Sequence, residues 1–285
     1  MRRVMLSAVA VLALLTAILT GCAGGEMSEA DIEKTVEEIV ATNYEVETST
    51  FDLSMEAAIS VEGDEDVSAT LVGTGTGVTD SVNRQMHMVM NMTVNTPGQD
   101  TIDMPVEYFL VEDWMYMKMS VPGQEEQWLK MEMPDDMWEE QNQAQQQIEM
   151  LQTAEEVNFL GIEDVNGAEC YVVEIVPDLA ALQRMLSQMQ GQMSQFGDFD
   201  LSAMDLGQML KQVSVTQYVA IDSYLFMRTD QHMLMEITPE AMGVPDDEFD
   251  RITEDITTVL VFRDYDMPVT IQLPQAALAA IQMGG

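Results

Sequence analysis

Met86, Met88, Met90 and Met92 occupy every second position of residues 82–94, with His87, Val89 and Asn91 between them. Thioether sulfur is a soft donor, and a thioether pair beside an imidazole would suit Cu(I). The spacing weakens that reading. A period of two belongs to a strand, where Met86 and Met88 share one face and His87 points to the other. His232 beside Met233 has the same weakness. A row of unbranched, polarizable side chains has a second use, as a wall that adapts to a flexible apolar ligand. A third reading is an ordinary core, although cores favour Leu, Ile and Val with better-defined rotamers. The device returns at Met115, Met117 and Met119, at Met131 and Met133, and at Met233 and Met235. The candidates for a cavity wall are therefore Met86, Met88, Met90, Met92, Met115, Met117 and Met119. Met185 and Met189 belong to a stripe that could serve as its lid. Cavity lining and plain core stay open side by side for each of these residues.

Other chemistry is sparse. The chain has two histidines, His87 and His232, and two cysteines, Cys22 and Cys170. It contains no Gly-x-Ser-x-Gly and no His-Glu-x-x-His, and no Gly loop that could cradle a phosphate between strand and helix. Gly73, Gly75 and Gly77 alternate inside a strand pattern, where they permit a bend or a close approach. Cys170 begins the run Cys-Tyr-Val-Val and reads as a buried thiol acting as a small hydrophobe. No disulfide framework can be built. The acids at 246–248 with Asp250 lack EF-hand spacing and read as a solvated loop before they read as a Ca²⁺ site. No catalytic residue, resident metal or cofactor is expected, and the protein is not expected to be an enzyme.

Long strands must position the methionines. Phe51, Leu53, Met55, Ala57, Ile59 and Val61 alternate with mostly polar neighbours, the cleanest period-two pattern in the chain. Strands are also expected over residues 67–79, 82–94, 104–110, 114–121 and 127–133, with turns at Pro97-Gly98, Glu112-Asp113 and Pro122-Gly123. Consecutive long strands with short turns predict an antiparallel meander, twisted and curled. Asn166-Gly167 is a strong hairpin signal between strands at 157–165 and 168–176. Further strands are expected at 213–221, 224–229, 232–238, 256–264 and 269–273.

Helices interrupt this pattern. Ser28 and Asp31 resemble a capping box, and Ile32, Val36, Ile39 and Val40 then make an amphipathic helix of about three turns. A second helix is expected after Asp135 or Asp136, with Met137, Gln141, Ala144, Ile148 and Leu151 on its apolar face and a Gln- and Glu-rich face opposite. Residues 178–211 read as a Met- and Gln-rich insertion with two helical pieces. Pro274 can start a short terminal helix through Met283.

Fifty acidic residues stand against eleven basic ones, a formal net charge of −39 at pH 7. That balance argues against nucleic acid, whose recognition needs a basic patch. It also leaves little to hold anionic headgroups by charge alone. Arg2 and Arg3 precede an apolar run at residues 4–19, too short for a comfortable membrane span. The run ends in Leu19-Thr20-Gly21-Cys22, which resembles a bacterial lipobox. The resemblance implies a signal peptide at residues 1–21 and acylation of Cys22, with palmitate among the chains. Two or three chains anchor far more firmly than one, since each buried CH₂ adds ~0.8 kcal/mol. Residues 22–27 are then a tether and 28–285 a single domain, held to the cell membrane on its extracytoplasmic face.

Three stretches extend the comparison. They are Gly167-Ala-Glu-Cys-Tyr-Val-Val-Glu-Ile-Val-Pro177, then Tyr218-Val-Ala-Ile-Asp222 with Tyr224-Leu-Phe-Met-Arg228, and finally Phe262-Arg-Asp-Tyr265-Asp-Met-Pro-Val-Thr-Ile-Gln-Leu-Pro274. With the order of elements, they make the chain resemble the LolA/LolB-like superfamily, in particular the LppX and LprG type of lipoprotein. The resemblance covers most of residues 28–274. It implies an α+β fold, a long antiparallel curled sheet forming an unclosed β-barrel, with helices covering the concave face. It further implies that acyl chains of a lipid-like ligand lie between sheet and helices, without turnover. The heavy Met and Gln content departs from that pattern and leaves the ligand open. One alternative is an envelope interaction or sensory module with a filled core and a protein partner. A weaker one is a Cu(I)-binding Met-rich protein.

Overall fold

In the computed structural model the described residues are 28–63, 66–119, 126–133, 138, 142–177, 209–242 and 250–282. The expected signal peptide, Cys22, the tether, Met185, Met189 and the acids at 246–248 lie outside them, and so does the side chain of Met119.

Twelve strands among the described residues form one sheet. They are β1 (Thr48–Glu62), β2 (Val67–Asp80), β3 (Gln85–Asn95), β4 (Ile102–Val111), β5 (Trp114–Met119), β6 (Gln127–Glu132), β7 (Ala154–Val165), β8 (Ala168–Pro177), β9 (Leu210–Ala220), β10 (Phe226–Ile237), β11 (Arg251–Arg263) and β12 (Ile281–Gln282). Their order is β12-β6-β5-β4-β3-β2-β1-β11-β10-β9-β8-β7. Two antiparallel meanders, β1–β6 and β7–β11, are thus joined by the long antiparallel pairing of β1 with β11, from Thr50↔Arg263 to Glu62↔Arg251. β7 and β12 are the two ends, so the curled sheet does not close.

Among the described residues, the helices α1 (Glu29–Tyr44) and α2 (Gln143–Gln152) cover the concave face. The Ser28 hydroxyl accepts from the Asp31 N–H at the start of α1 and donates to the Asp31 carboxylate, which satisfies the first turn. Ile39 of α1 and Ile148 and Leu151 of α2 are buried against Phe51, Val173, Val215, Phe226 and Phe262. Each large apolar side chain fully buried there contributes roughly 1.5–3 kcal/mol. The far end of α1 is pinned by Asn43. Its amide donates to Ile39 O at 2.8 Å and Tyr224 O at 2.7 Å, and its carbonyl accepts from Phe226 N–H at 3.1 Å. Between β7 and β8, Asn166 and Gly167 take positive φ, as a two-residue hairpin requires.

Four expectations need correction. Residues 224–229 and 232–238 belong to one strand, β10, because Asp230 and Gln231 pair on both sides and leave no turn. Residues 269–273 form no strand. The chain leaving β11 has no sheet edge beside it, since β11 already lies between β1 and β10, and Pro268 and Pro274 lack the N–H a ladder needs. The terminal helix reduces to a 3₁₀ turn at Ala277–Ala279, where Ala276 provides no side-chain cap. The chain then adds Ile281–Gln282 in parallel to β6. Finally, α2 is capped by Asn142, whose side chain accepts from Gln145 N–H; Asp135 and Asp136 lie outside the described residues.

Candidate functional site

The register places the methionines in rows that cross the concave face. One row runs Phe262–Phe51–Gly77–Met88–Tyr108–Met117–Leu129. Beside it runs Thr79–Met86–Leu110–Met115–Met131. On the other side, Leu260–Leu53–Gly75–Met90–Val106–Met119 and then Thr258–Met55–Gly73–Met92–Met104 follow in order. Residues directly opposite in a ladder share a face, so Met86, Met88, Met90, Met92, Met115 and Met117 all stand on one surface.

That surface changes character along β3. Met88 is packed in the core with Ile39, Phe51 and Ile148. Met86 is fully buried with Leu110, Met133 and Trp138. The Tyr108 hydroxyl lies 3.4 Å from the Met88 sulfur and 3.6 Å from the Met86 sulfur, and burial pushes its pKa up to about 12. Met90 and Met92 are only half-buried, and so are their neighbours Met55, Leu71, Val94 and Met104. Met233 and Met235 of β10 are half-buried as well. At the β5–β6 end, Met115, Met117, Leu129, Lys130 and Met131 line a shallow open recess of only about 10 Å³.

The core end is set by glycine. A Cβ at Gly77 would sit 2.8 Å from Phe51 Cε2 and closer still to two other ring atoms. Phe51 therefore lies flat over β2, with its ring centroid 6.4 Å from that of Phe262. The close approach expected for this glycine run is realised at Gly77. At Gly73, by contrast, a Cβ would find Met55 Cε at 3.6 Å and Met90 Sδ at 3.7 Å, ordinary contact distances.

The imidazole of His87 is kept away from the thioethers. It stacks on Phe109 on the convex face, ring centroids 4.1 Å apart, and its Nε2 is 3.1 Å from Glu107. His232 pairs with Asp255 at 2.8 Å. Cys170 is buried, its thiol donates to Ala168 O at 3.4 Å, and desolvation pushes its pKa up. Among the described residues no group of three or more His, Cys, Asp or Glu side chains is arranged to hold a metal ion. None of the described helices is long and apolar enough to cross a membrane.

Three polar residues escaped the sequence reading. Gln147, Gln217 and Thr229 are fully buried on the concave side. Gln147 stands three residues after Ala144 and four before Leu151, so helical spacing puts it beside the apolar stripe of α2. Gln217 left a signal, because it interrupts the inward series Val213, Val215, Val219 on β9.

These features define an unclosed β-barrel with a packed core at one end of its concave face and a half-open, methionine-rich wall at the other. Within that class the chain belongs to the family described as a family of unknown function, DUF6612, whose profile matches residues 31–282. Among solved structures it is similar to LprF from Mycobacterium bovis, at 12% identity and a TM-score of 0.42, over 88% of this chain and 99% of that one. It is also similar to the lipoprotein LppX from Mycobacterium tuberculosis, at 8% identity and a TM-score of 0.40, over 86% and 100% of the two chains. A LolA superfamily protein from Nitrosomonas europaea matches at 8% identity and a TM-score of 0.21, over 84% and 94%. No curated protein matches the chain.

Proposed function

We propose that the protein is a membrane-anchored, extracytoplasmic lipoprotein that binds or carries a lipid-like ligand without catalysis. The supporting observation is the half-buried apolar wall of Met55, Met90, Met92 and Met104, which continues the packed face of β3 from Met90, still in contact with the core, outward to Met92. Apolar surface of this kind gains stability when covered, at about 25 cal/mol per Å². Thioethers adapt to a chain of variable shape, so the wall suits acyl groups better than one rigid ligand. Anchoring would come from acylated Cys22, with residues 22–27 as tether and residues 28–285 as one binding domain. Met86 and Met88 act in this reading as the floor of the site, while Met90, Met92, Met115, Met117 and Met119 line it. Met185 and Met189 would belong to its cover.

The packing around Met88 and Met86 favours a second reading over that part of the face, an envelope interaction module with a filled core. Native mass spectrometry of the full chain, released gently from membranes, separates the two. Co-purified lipid, or uptake of a fluorescent fatty acid, is the expected result. A chain that arrives empty and takes up no fatty acid is not a carrier.

A further inference from the structure

We infer that Gln217, Thr229 and Gln147 form a polar anchor for an uncharged, hydroxyl-bearing group of the ligand. The inference rests on the carrier reading and adds the chemistry of the ligand's polar end. All three residues are fully buried. The Gln217 amide donates to Gln147 O at 3.1 Å and to Gln147 Oε1 at 3.2 Å. Both protons of that amide are thereby used, which fixes its orientation. Three atoms are left over with no partner: Gln217 Oε1, Gln147 Nε2 and Thr229 Oγ1. Buried polar groups are nearly always paired, and leaving one unpaired is costly. Three on neighbouring residues mark a stretch of the concave face where a further polar group would be satisfied.

The register puts these residues side by side. Thr229 lies directly opposite Gln217 on one side and Leu260 on the other. The same row continues through Leu53 and Gly75 to Met90. It therefore runs from the anchor to the half-buried wall across four strand spacings, about 19 Å at the usual interstrand distance. A ligand could place its polar end at Thr229 and its chain toward Met90.

The free atoms define what would bind. Gln147 Nε2 only donates, Gln217 Oε1 only accepts, and the threonine hydroxyl does either. A hydroxyl fits this set, since it both donates and accepts. An anion does not, because it cannot satisfy Gln217 Oε1 and would meet no counter-charge. The Lys and Arg groups of the strands are engaged elsewhere: Arg228 with Asp230, Arg251 with Glu62, Arg263 with Asp52, Lys118 with Glu126, Lys211 with Glu236, and Lys130 over the Trp114 ring.

The test is displacement of diphenylhexatriene, a purely apolar fluorescent probe, from the full chain in mild detergent. Competitors are oleyl alcohol, 1-octadecene and oleate at pH 8. Oleyl alcohol should displace the probe at about tenfold lower concentration than octadecene, the factor for one net hydrogen bond. Oleate should also be weaker than the alcohol. Thr229→Val should cut the alcohol's advantage several-fold and leave octadecene unchanged, whereas Thr229→Ser should keep it. Equal displacement by alcohol and hydrocarbon, or an advantage undiminished by Thr229→Val, would overturn the anchor while leaving the carrier reading intact. Oleate at least as strong as the alcohol would overturn the uncharged specificity. Failure to take up diphenylhexatriene at all would remove the carrier reading, and the anchor with it.

Discussion

Gly73 and Gly77 lie on one strand and one face, yet replacing each by alanine should move stability in opposite directions. Glycine in a strand interior costs about 0.5–1 kcal/mol relative to alanine, through the greater freedom of its unfolded chain. Gly73→Ala should recover that amount, because the new methyl meets only Met55 Cε at 3.6 Å and Met90 Sδ at 3.7 Å. Gly77→Ala gains the same entropy and loses more. Its methyl would lie 2.8 Å or less from three atoms of the Phe51 ring. Phe51 is 1% exposed and sits in the same cluster as Phe262, Ile39 and Leu260. The ring cannot lift away without disturbing them. Overpacking of this kind costs about 1–3 kcal/mol and occasionally more, and three overlapping atoms place it at the upper end. The net expectation is a loss of about 2 kcal/mol for Gly77→Ala, against a gain below about 1 kcal/mol for Gly73→Ala.

Urea denaturation followed by tryptophan fluorescence measures both. With a urea slope of about 2–3 kcal/mol per molar, the two midpoints should differ by roughly 1 M and bracket the parent. A double-mutant cycle identifies the cause. Phe51→Leu alone should destabilise by leaving a cavity, but in the Gly77→Ala background it should cost clearly less, because it removes the clash. The coupling should be at least about 1 kcal/mol. A Gly77→Ala protein as stable as the parent, or additive single mutants, would show that Phe51 does not rest on the bare backbone of β2.

Three further outcomes follow from the packing. Tyr108 has its pKa raised by burial from 10.0 to about 12, so the stability this tyrosine contributes is fully present below pH 10 and is lost as pH rises through 12; about 3 kcal/mol goes over that window. Tyr265 is raised by burial too and acts in the same direction, so Tyr108→Phe should reduce but not abolish the alkaline fall, as read from urea midpoints at pH 9 and pH 11.5. Asn43→Ala should cost about 3 kcal/mol, since it strands the Phe226 N–H and the Tyr224 carbonyl that Asn43 joins to α1; a loss under 1 kcal/mol by the same assay contradicts that role. Met88→Ala, in the packed core, should lose about 2–5 kcal/mol of stability, whereas Met92→Ala should lose much less and instead weaken uptake of diphenylhexatriene; equal effects of the two on both readouts would deny the division of β3 into floor and wall.

The strands were legible because their inward residues alternate without fault: Phe51 to Val61 and Met86 to Met92 fix a face with no knowledge of the partner strand. Asn166-Gly167 fixed the hairpin between β7 and β8 for a similarly local reason. The errors are nonlocal. Whether residues 269–273 could form a strand depended on whether an edge lay within reach, and β11 turned out to be enclosed. Gln147 is a polar residue beside the apolar stripe of α2, and nothing local marks it as buried, because its partner Gln217 is 70 residues away. The four thioethers of β3 look alike in sequence. Met88 packs in one cluster with Ile39 of α1 and Ile148 of α2, while Met92 lies half-buried outside it, and no pattern within residues 82–94 contains that.

The arrangement of polar and apolar groups on the concave face favours a guest over a collapsed core. A core evolved only for stability gains by replacing a buried, half-satisfied glutamine pair with apolar groups of the same size. Here the pair is retained, and Thr229 adds a third unsatisfied group beside it. At the other end of the same rows, methionines are left half-exposed where a closed core would bury leucine. Each choice costs stability in the empty protein, and each is recovered if one amphipathic molecule spans both, its hydroxyl at Gln217 and Thr229 and its chain along Met90 and Met92. A lipid-free protein should then be less stable than its Thr229→Val variant, by about 1–3 kcal/mol in urea. The order should narrow or reverse once oleyl alcohol is added, because only the parent can use the ligand's hydroxyl. A Thr229→Val substitution that destabilises the empty protein would mean that Thr229 already has its partner, and the case for a guest at that end of the sheet would fall.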